Sequence, residues 1–269
     1  MHSGPYAVGI DIGGTKIAVA AVDPDGRLER LTRLPTAATS LDDLAEAAAR
    51  AADGLDVVGV GVGICELVDD GRVGSHASIA WDEEDLAEAL GPVVLEADVR
   101  AAALAEARVG AGRPFPTFLY VTVGTGISHC LVVDGEPVRG AHGAAQLAGS
   151  GAVTFACPHC GERVRISAED AASGAALARG AATEQAAETL ASFIALLVNV
   201  LDPHALVVGG GLGTAAGAYW ETLVRSVREH VWAEHARDLP VLQAALGADS
   251  GVVGAGLLAV RAAETEEVR

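Results

Sequence analysis

Two glycine turns, each lying between two short apolar runs, constrain this 269-residue chain more than any other feature. Gly13-Gly14 separates the first pair of runs, and Gly124-Thr125-Gly126 separates the second pair. Each pattern predicts a β-hairpin closed by a glycine turn. We therefore expect a duplicated α/β protein with a cleft between its halves. The apolar runs are residues 6–12 and 17–22 in the first half and 118–123 and 127–133 in the second.

Strand and helix patterns alternate after each predicted hairpin, as an α/β fold requires. Ser40 is placed to cap the first of the helices. A glycine-rich linker around residues 110–114 separates the halves. Further strands are predicted at residues 57–62, 93–95, 205–208 and 241–244, and helices at 41–47, 81–90, 100–107, 183–201, 218–236 and 251–265.

Composition and charge exclude several classes of protein. With 51% hydrophobic residues the chain can bury a core, so intrinsic disorder is excluded. The net charge of −18 makes nucleic acid and anionic membranes poor partners, because phosphate binding needs a basic face. The apolar stretch at residues 189–201 is too short to cross a bilayer, and no targeting segment is recognised. We expect a cytoplasmic protein with no membrane or nucleic-acid partner.

The residues around both glycine turns suit phosphate binding. Asp11 ends the first strand, Gly13 and Gly14 let the backbone approach a ligand closely, and Thr15 adds a hydroxyl donor. Gly124 to Gly126 offer similar chemistry from the second half. Either turn alone is equally well explained as an ordinary glycine hairpin. Together, in matching contexts, they indicate a polyphosphate held from both sides.

Six motifs follow one another along nearly the whole chain, and their order is more specific than any one of them. The set resembles the ROK family of sugar kinases and related repressors, within the actin-like, hexokinase-like ATPase superfamily. The motifs are DIGGTK at 11–16, Asp98 before the helical AAALAE at 101–106, GTGI at 124–127, DGEPVRGAHGAA at 134–145, LDPHALVVGGG at 201–211 and GVVGAG at 251–256.

The resemblance implies a two-lobed ribonuclease-H-like fold and an ATP-dependent carbohydrate kinase that uses Mg²⁺. Asp11 would help to hold Mg²⁺, and Asp98 would be the base that accepts the proton of the attacking hydroxyl. Asp98 also opens a helix, where an acid is favourable whatever its function. Lys16 has no Walker motif before it and is expected at the surface. The phosphate and adenosine contacts implied are Gly13, Gly14 and Thr15, then Gly124, Thr125 and Gly126, and finally Gly209, Gly210 and Gly211.

Departures from the family pattern concentrate in the acceptor site. Ala77, Ala97 and Arg100 replace asparagines, and Leu147 and Ser150 replace a sugar-binding glutamate and a histidine. Glu169 still matches the remaining sugar-binding glutamate. An unpartnered buried hydroxyl costs about 1–3 kcal/mol, so plain glucose should bind poorly. An amino sugar, a deoxy sugar or a cyclitol is expected instead.

The four cysteines divide into two kinds. Cys157 and Cys160 form a Cys-x-x-Cys pair that resembles half of the family's zinc motif, but Ser150 and Ser167 stand where other ligands would be. His159 or another histidine could complete the ligand set, and zinc is therefore a doubtful cofactor rather than an excluded one. Cys65 and Cys130 lie beside or within apolar strands and are expected to be small core residues.

The family resemblance also sets the expected organisation. We expect an N-terminal lobe at residues 1–109, a C-terminal lobe at 110–250, and a C-terminal helix at 251–269 that packs back on the first lobe. A homodimer is implied. The alternative function is a non-catalytic relative that senses a ligand or nucleotide or assists assembly. A repressor is disfavoured by the charge and by the ten residues that precede Asp11, too few for a DNA-binding domain.

Overall fold

The computed structural model describes residues 5–267 and contains two five-stranded sheets, two small two-stranded sheets and the helices around them. The strands are β1 (Tyr6–Ile12), β2 (Lys16–Val22), β3 (Leu28–Pro35), β4 (Val57–Ile64), β5 (Val68–Asp69), β6 (Arg72–Val73), β7 (Val93–Ala97), β8 (Thr117–Val123), β9 (Ile127–Val133), β10 (Glu136–Pro137), β11 (Ala152–Ala156), β12 (Arg163–Ser167), β13 (Ala205–Gly209) and β14 (Val241–Gln243). The helices are α1 (Leu41–Ala52), α2 (Glu83–Leu90), α3 (Asp98–Arg108), α4 (Ala168–Ala172), α5 (Gly174–Ala178), α6 (Thr183–Leu201), α7 (Gly210–Gly213), α8 (Ala218–His230) and α9 (Ser250–Glu267).

The two large sheets repeat one topology. The first has the order β3-β2-β1-β4-β7, and the second has the order β10-β9-β8-β13-β14. In each sheet the first three strands in chain order are antiparallel, and the last two run parallel to the first. This confirms the predicted duplicated α/β fold. Each glycine turn lies at the carboxyl end of the first strand of its lobe, which is where ligands bind in sheets of this kind.

Each lobe has its own apolar core. Buried residues of β1, β2, β4 and α1 form the first core, and buried residues of β8, β13, α6 and α8 form the second. Ser40 caps α1 with a reciprocal hydrogen bond to Asp43, as its sequence position predicts. By length and composition alone α6 could cross a membrane, but its buried face belongs to the second core and packs on α8.

Helices α3 and α9 pack against each other and against strands of the lobes. Helix α9 contacts β1 and β4 of the first sheet, and α3 also contacts β8 and β9 of the second. The contact between α9 and β4 is close because small residues line it: a Cβ added at Gly61 of β4 would lie 1.8 Å from the carbonyl oxygen of Ala255 of α9. These two helices therefore connect the sheets that carry the two glycine turns.

Several details differ from the sequence expectation. Helix α8 ends at His230 rather than at residue 236, because Val231 adopts an extended backbone and a short 3-10 turn follows at Glu234–Ala236. Strand β3 and the hairpin β11–β12 were not predicted. Both have mostly exposed or half-buried residues, so they lack the apolar runs that reveal the central strands.

Candidate active site

Asp11 and Asp98 converge at the carboxyl ends of parallel strands. Asp11 lies on β1 opposite Gly63 of β4, and Asp98 directly follows β7, the next strand. A Cβ added at Gly63 would lie 3.5 Å from the Asp98 Cα and 3.8 Å from Asp11 Oδ1. Both acids therefore border the same glycine of the intervening strand.

Both carboxyl groups are harder to ionise than isolated acids. Burial raises the pKa of Asp11 to about 7, and the charges of Asp98 and Asp249 add to the rise. Burial also raises the pKa of Asp98 to about 6, although the Val99 N–H and the Arg100 charge oppose it. Two partly buried acids with raised pKa values side by side are typical of a functional site.

Asp98 is the first residue of α3, and the N-cap residue before it is Ala97, which has no capping side chain. The Val99 N–H donates to Asp98 Oδ1 at 2.6 Å. The carboxylate therefore does help the first helical turn, as the alternative interpretation expected. One hydrogen bond to one oxygen leaves the other oxygen available for a proton.

The first glycine loop is held from behind and open in front. Gly13 N–H donates to the Lys16 carbonyl at 3.0 Å, and the Thr36 hydroxyl donates to the Gly13 carbonyl at 2.7 Å. Gly14 and Thr15 are exposed, and the atom nearest to a Cβ built on Gly14 is Ser78 Oγ at 4.0 Å. Lys16 is exposed at the start of β2, as expected of a surface residue.

The second glycine loop is braced by a helix. Gly124 N–H donates to the Gly126 carbonyl at 2.9 Å, and Gly174 N–H at the start of α5 donates to the Gly124 carbonyl at 2.8 Å. No atom lies within 4 Å of a Cβ built on Gly124, whereas one built on Gly126 would lie 2.5 Å from Glu169 Oε1. Gly124 therefore faces open space, and Gly126 faces Glu169, the candidate sugar-binding residue.

The third glycine segment follows β13 and begins α7. A Cβ at Gly209 would meet the Tyr120 hydroxyl at 2.2 Å, and Gly210 has a φ of +79° and lies against Val123. Packing and backbone geometry thus require glycine at both positions. Gly211 has no neighbour within 4 Å of its Cβ position, so neither constraint applies to it.

The Glu169 carboxylate is engaged by a neighbour. Ser150 Oγ donates to Glu169 Oε2 at 2.8 Å, and Glu169 N–H donates to the Gly149 carbonyl at 3.0 Å. Leu147 is an apolar side chain that is 42% exposed. This side of the site thus presents a carboxylate that already accepts a hydrogen bond and an exposed apolar side chain.

Glu66 is a site residue that sequence reasoning missed. It is 3% exposed and accepts four hydrogen bonds, from the Ser75 hydroxyl and from the N–H groups of Ala77, Ser78 and Ile79. Burial alone would raise the pKa of Glu66, but these donors outweigh it and the pKa is lowered. Glu66 therefore fixes the loop that carries Ser78 towards Gly14. Its position just after a predicted strand was the available signal.

Arg100 forms a second unexpected network, between the two lobes. It is 1% exposed and pairs with Glu96 through Nη2 at 2.6 Å. Its guanidinium also donates to the Val68 carbonyl at 2.5 Å, the Gly143 carbonyl at 2.6 Å and Gln146 Oε1 at 3.0 Å. Arg100 thus ties β5 to the 143–146 loop.

The cysteines separate as their sequence contexts predicted. Cys130 is buried and Cys65 is half-buried against the first core, and burial raises the pKa of each thiol to about 12. Cys157 and Cys160 lie at the tip of the β11–β12 hairpin. Hydrogen bonds from the N–H groups of Cys160 and His159 lower the pKa of Cys157. Within residues 5–267, no three His, Cys, Asp or Glu side chains cluster as metal ligands.

The fold and the site define a class: a two-lobed α/β protein with paired glycine turns and two acids at the edge of one sheet. The ROK family model matches residues 7–187 and 179–262. The chain belongs to the ROK family.

Sugar kinases are among its relatives. A glucokinase from Streptomyces coelicolor is 29% identical over 94% of this chain and 96% of its own length. An N-acetylmannosamine kinase from Citrobacter koseri is 30% identical over 93% and 97% of the two chains. The crystal structure of a Streptomyces griseus ROK glucokinase with glucose and AMPPNP has a TM-score of 0.82 at 28% identity, covering 95% and 99%. The expected actin-like ATPase fold and ROK-type carbohydrate kinase are confirmed.

Proposed function

We propose that this chain transfers the γ-phosphoryl group of ATP to a hydroxyl of a small sugar-like acceptor. The observation that carries the proposal is the Asp11–Asp98 pair, two partly buried acids separated by Gly63 at the edge of the first sheet. One acid suits a cation beside phosphates, and the other suits a proton acceptor. Phosphoryl transfer needs these two functions more than it needs covalent chemistry.

The glycine segments support a nucleotide site. Gly14, Gly124 and Gly211, one from each segment, have space at the Cβ position that no side chain of the described residues fills. Packing does not explain glycine at these three positions, whereas close approach of phosphates or a nucleoside to the backbone does. We assign Gly13, Gly14, Thr15, Gly124, Thr125 and Gly126 to the phosphates and Gly209, Gly210 and Gly211 to the adenosine.

The donor chemistry at Asp11 fits Mg²⁺. Magnesium prefers oxygen ligands and is held by one or two carboxylates together with substrate phosphates. Asp11 is a carboxylate whose ionisation is opposed by burial and by Asp98 and Asp249, so a cation would relieve an existing cost. When bound, Mg²⁺ neutralises charge on the phosphates. We assign Asp11 as its protein ligand.

Asp98 is assigned as the general base. As the acceptor oxygen bonds to the γ-phosphorus and the bond to ADP breaks, Asp98 takes the hydroxyl proton. A pKa of about 6 leaves the carboxylate mostly ionised at neutral pH yet closer to the operating pH than a free aspartate. Closure of the lobes would exclude water, which competes for the phosphoryl group. We take the lobes as residues 1–109 and 110–250, with 251–269 joining the first.

The acceptor is proposed to be a sugar or cyclitol other than plain glucose. Glu169 remains as a sugar-binding carboxylate, but Ser150 already donates to it, and Leu147 presents an apolar surface. An acceptor with fewer hydroxyls than glucose, or with an apolar substituent, suits this surface better than glucose does. Amino sugars, deoxy sugars and cyclitols are the classes to test.

The altered acceptor residues also favour a second candidate function. A relative that binds nucleotide but transfers no phosphate would need the glycine segments and not the acceptor residues. Retention of Asp98 beside Asp11 is what places this sensor function second.

The oligomeric state, the cellular location and the partners of the protein are also proposals. A homodimer is proposed from the family resemblance. Leu196 and Val200 on α6 and Trp232 after α8 are strongly exposed apolar side chains, which supports a protein contact on that side. Sedimentation would give the oligomeric state. The charge of −18 disfavours nucleic acid and anionic membrane surfaces as partners, and a cytoplasmic location is likewise a proposal.

The test is release of ADP from Mg-ATP against a panel of hexoses, amino sugars, deoxy sugars and cyclitols, with nucleotide binding measured separately. Acceptor-dependent ADP release supports the kinase. Binding of ATP without turnover on any acceptor supports the sensor, and failure to bind ATP overturns both. Metal analysis of protein purified without chelator, beside a variant with both Cys157 and Cys160 replaced, decides whether zinc is present.

A further inference from the structure

The tip of the β11–β12 hairpin holds two thiols in one turn. Cys157 N–H donates to the Glu162 carbonyl at 2.7 Å, and Gly161 N–H donates to the Cys157 carbonyl at 2.8 Å, so residues 157–161 form a closed turn. Residues three apart in such a turn are neighbours. The two thiols therefore lie on the same closed turn of the chain.

The pair is accessible to small molecules. Cys160 is exposed and Cys157 is half-buried, and the residues of β11 are all exposed. Among residues 5–267, the hairpin is a two-stranded sheet that no further strand joins. Cys65 and Cys130 differ, since one packs against a core and the other is fully buried. Thiol exchange requires access, so the hairpin pair is the reactive one.

The local charge is opposite in sign to that of the whole chain. From residue 151 to residue 167 the hairpin has two arginines, Arg163 and Arg165, and one glutamate, Glu162, which gives +1 with histidine neutral. The whole chain has a net charge of −18. Arg163 is paired with Ala156, the residue before Cys157. An anionic reagent would therefore be attracted to this turn more than to most of the surface.

The surroundings do not fit a structural zinc site. Such a site takes four ligands from Cys, His or carboxylates. In the described part of the chain, Cys157 and Cys160 have no third metal-binding side chain in a suitable cluster. Ser150 and Ser167 occupy positions at the base of the hairpin. A Cys-x-x-Cys pair without a completed metal site has the chemistry of a free dithiol.

We propose that Cys157 and Cys160 form a redox-active dithiol that closes reversibly to an intramolecular disulfide by exchange with a low-molecular-weight disulfide. The Cys157 thiolate attacks one sulfur of the reagent and expels one thiolate, forming a mixed disulfide. Cys160 then loses its proton and attacks Cys157 Sγ, which expels the second thiolate. Two protein thiols are oxidised by two electrons, and one reagent disulfide is reduced to two thiols.

The hairpin that carries the two cysteines has its base next to the candidate sugar-binding residue Glu169. The base of the hairpin pairs Ala152 with Ser167, and the residues just outside it are Ser150 and Glu169, which are hydrogen-bonded. Oxidation at the tip would therefore modify the hairpin whose base lies next to the Ser150–Glu169 hydrogen bond. The exchange chemistry itself does not depend on phosphoryl transfer, so the two proposals fail independently.

The experiment uses the full-length reduced protein, glutathione disulfide as reagent, and intact mass with peptide mapping as readout. The wild type should lose two hydrogens, with the new bond between Cys157 and Cys160, and dithiothreitol should restore the starting mass. Cys160→Ser should instead keep a glutathione adduct on Cys157, because the resolving thiol is gone. The Cys65→Ser variant, which retains the pair, should behave as the wild type.

Three results would overturn the proposal. The first is a wild-type protein whose two thiols stay reduced under conditions that oxidise dithiothreitol. The second is a glutathione adduct on Cys157 that Cys160 does not displace. The third is one equivalent of zinc that purifies with the protein, is lost in the Cys157→Ser/Cys160→Ser double variant, and blocks exchange until it is chelated. Matching circular dichroism spectra establish that each variant folds.

Discussion

Helix α9 approaches the Asp11 carboxylate so closely at Gly251 that no side chain fits between them. A Cβ added at Gly251 would lie 2.4 Å from Asp11 Oδ2 and 2.5 Å from Asp11 Cγ. The second residue of the C-terminal helix thus bounds the position of an acid on the first strand. This relationship links the GVVGAG motif to the DIGGTK motif through space.

Substituting Gly251 by Ala should displace the Asp11 carboxylate. A shift of about 1 Å in a catalytic group can lower the rate about 100-fold, so we expect kcat for ADP release to fall by that order. The fold should persist, because the clash involves a side chain beside the cleft. Steady-state kinetics and circular dichroism check both expectations.

Gly59→Ala is the matched control for Gly251→Ala. A Cβ at Gly59 would meet only the Cβ of Ala259 at 3.7 Å, which is ordinary contact. This variant should retain activity within about twofold. Equal losses in both variants would show that the Asp11 contact has no special role.

Replacing Asp11 by Asn should stabilise the protein at neutral and higher pH. The raised pKa means that the folded state ionises Asp11 with difficulty, so the charged form lowers the free energy of unfolding. This penalty is absent below the unfolded pKa, near 4, and is complete above the folded pKa of about 7.

The gain in unfolding free energy for Asp11→Asn should therefore be about 1–3 kcal/mol at pH 8 and close to zero at pH 4. Urea unfolding in a chelating buffer measures it, so that bound cations do not contribute. A gain that is the same at both pH values, or a loss at pH 8, would contradict the assigned environment of Asp11.

Glu66→Gln should loosen the loop that carries Ser78. The amide offers one carbonyl oxygen where the carboxylate offered two, so some of the four donors lose their acceptor. Each unsatisfied buried donor costs about 1–3 kcal/mol. We expect lower stability and a KM for the acceptor that rises more than the KM for ATP. Glu88→Gln, the same change at an exposed position, should alter neither.

Arg100→Met should strongly destabilise the protein, because Glu96 would keep a buried charge with only Arg139 to balance it. Breaking a buried pair costs about 3–5 kcal/mol. Adding Glu96→Gln should recover part of the loss. Arg108→Met removes an exposed pair with Glu136 and should cost at most about 1 kcal/mol. Urea unfolding of the wild type and the three variants gives the comparison.

Much of the fold was predictable because buried strands and amphipathic helices leave strong patterns. Strands β1, β2, β8 and β9 appear as apolar runs around the glycine turns, and the duplicated topology follows from their repetition. Strand β3 and the β11–β12 hairpin are largely exposed, so their apolar content gives no such signal. The end of α8 depends on the backbone of Val231, which no sequence pattern marks.

The candidate site was predictable where local chemistry and motif agree. Asp11 and Asp98 each follow or end a strand, and the fold brings them to one edge. The roles of Glu66 and Arg100 could not be assigned from sequence, since, apart from the Arg100–Glu96 pair, their hydrogen-bond partners lie 9 to 46 residues away along the chain. Those partners are mostly backbone groups, which any residue can provide. Only the folded chain shows which ones are present.

The rate of ADP release by Asp98→Asn, with an acceptor that the wild type phosphorylates, tests the central claim most directly. The variant keeps the shape of the side chain and removes the proton acceptor. We predict that kcat falls by about 10²–10⁴-fold while the affinity for ATP stays within about twofold. A variant that releases ADP at the wild-type rate would contradict the assignment of Asp98 as the base and, with it, the proposed mechanism.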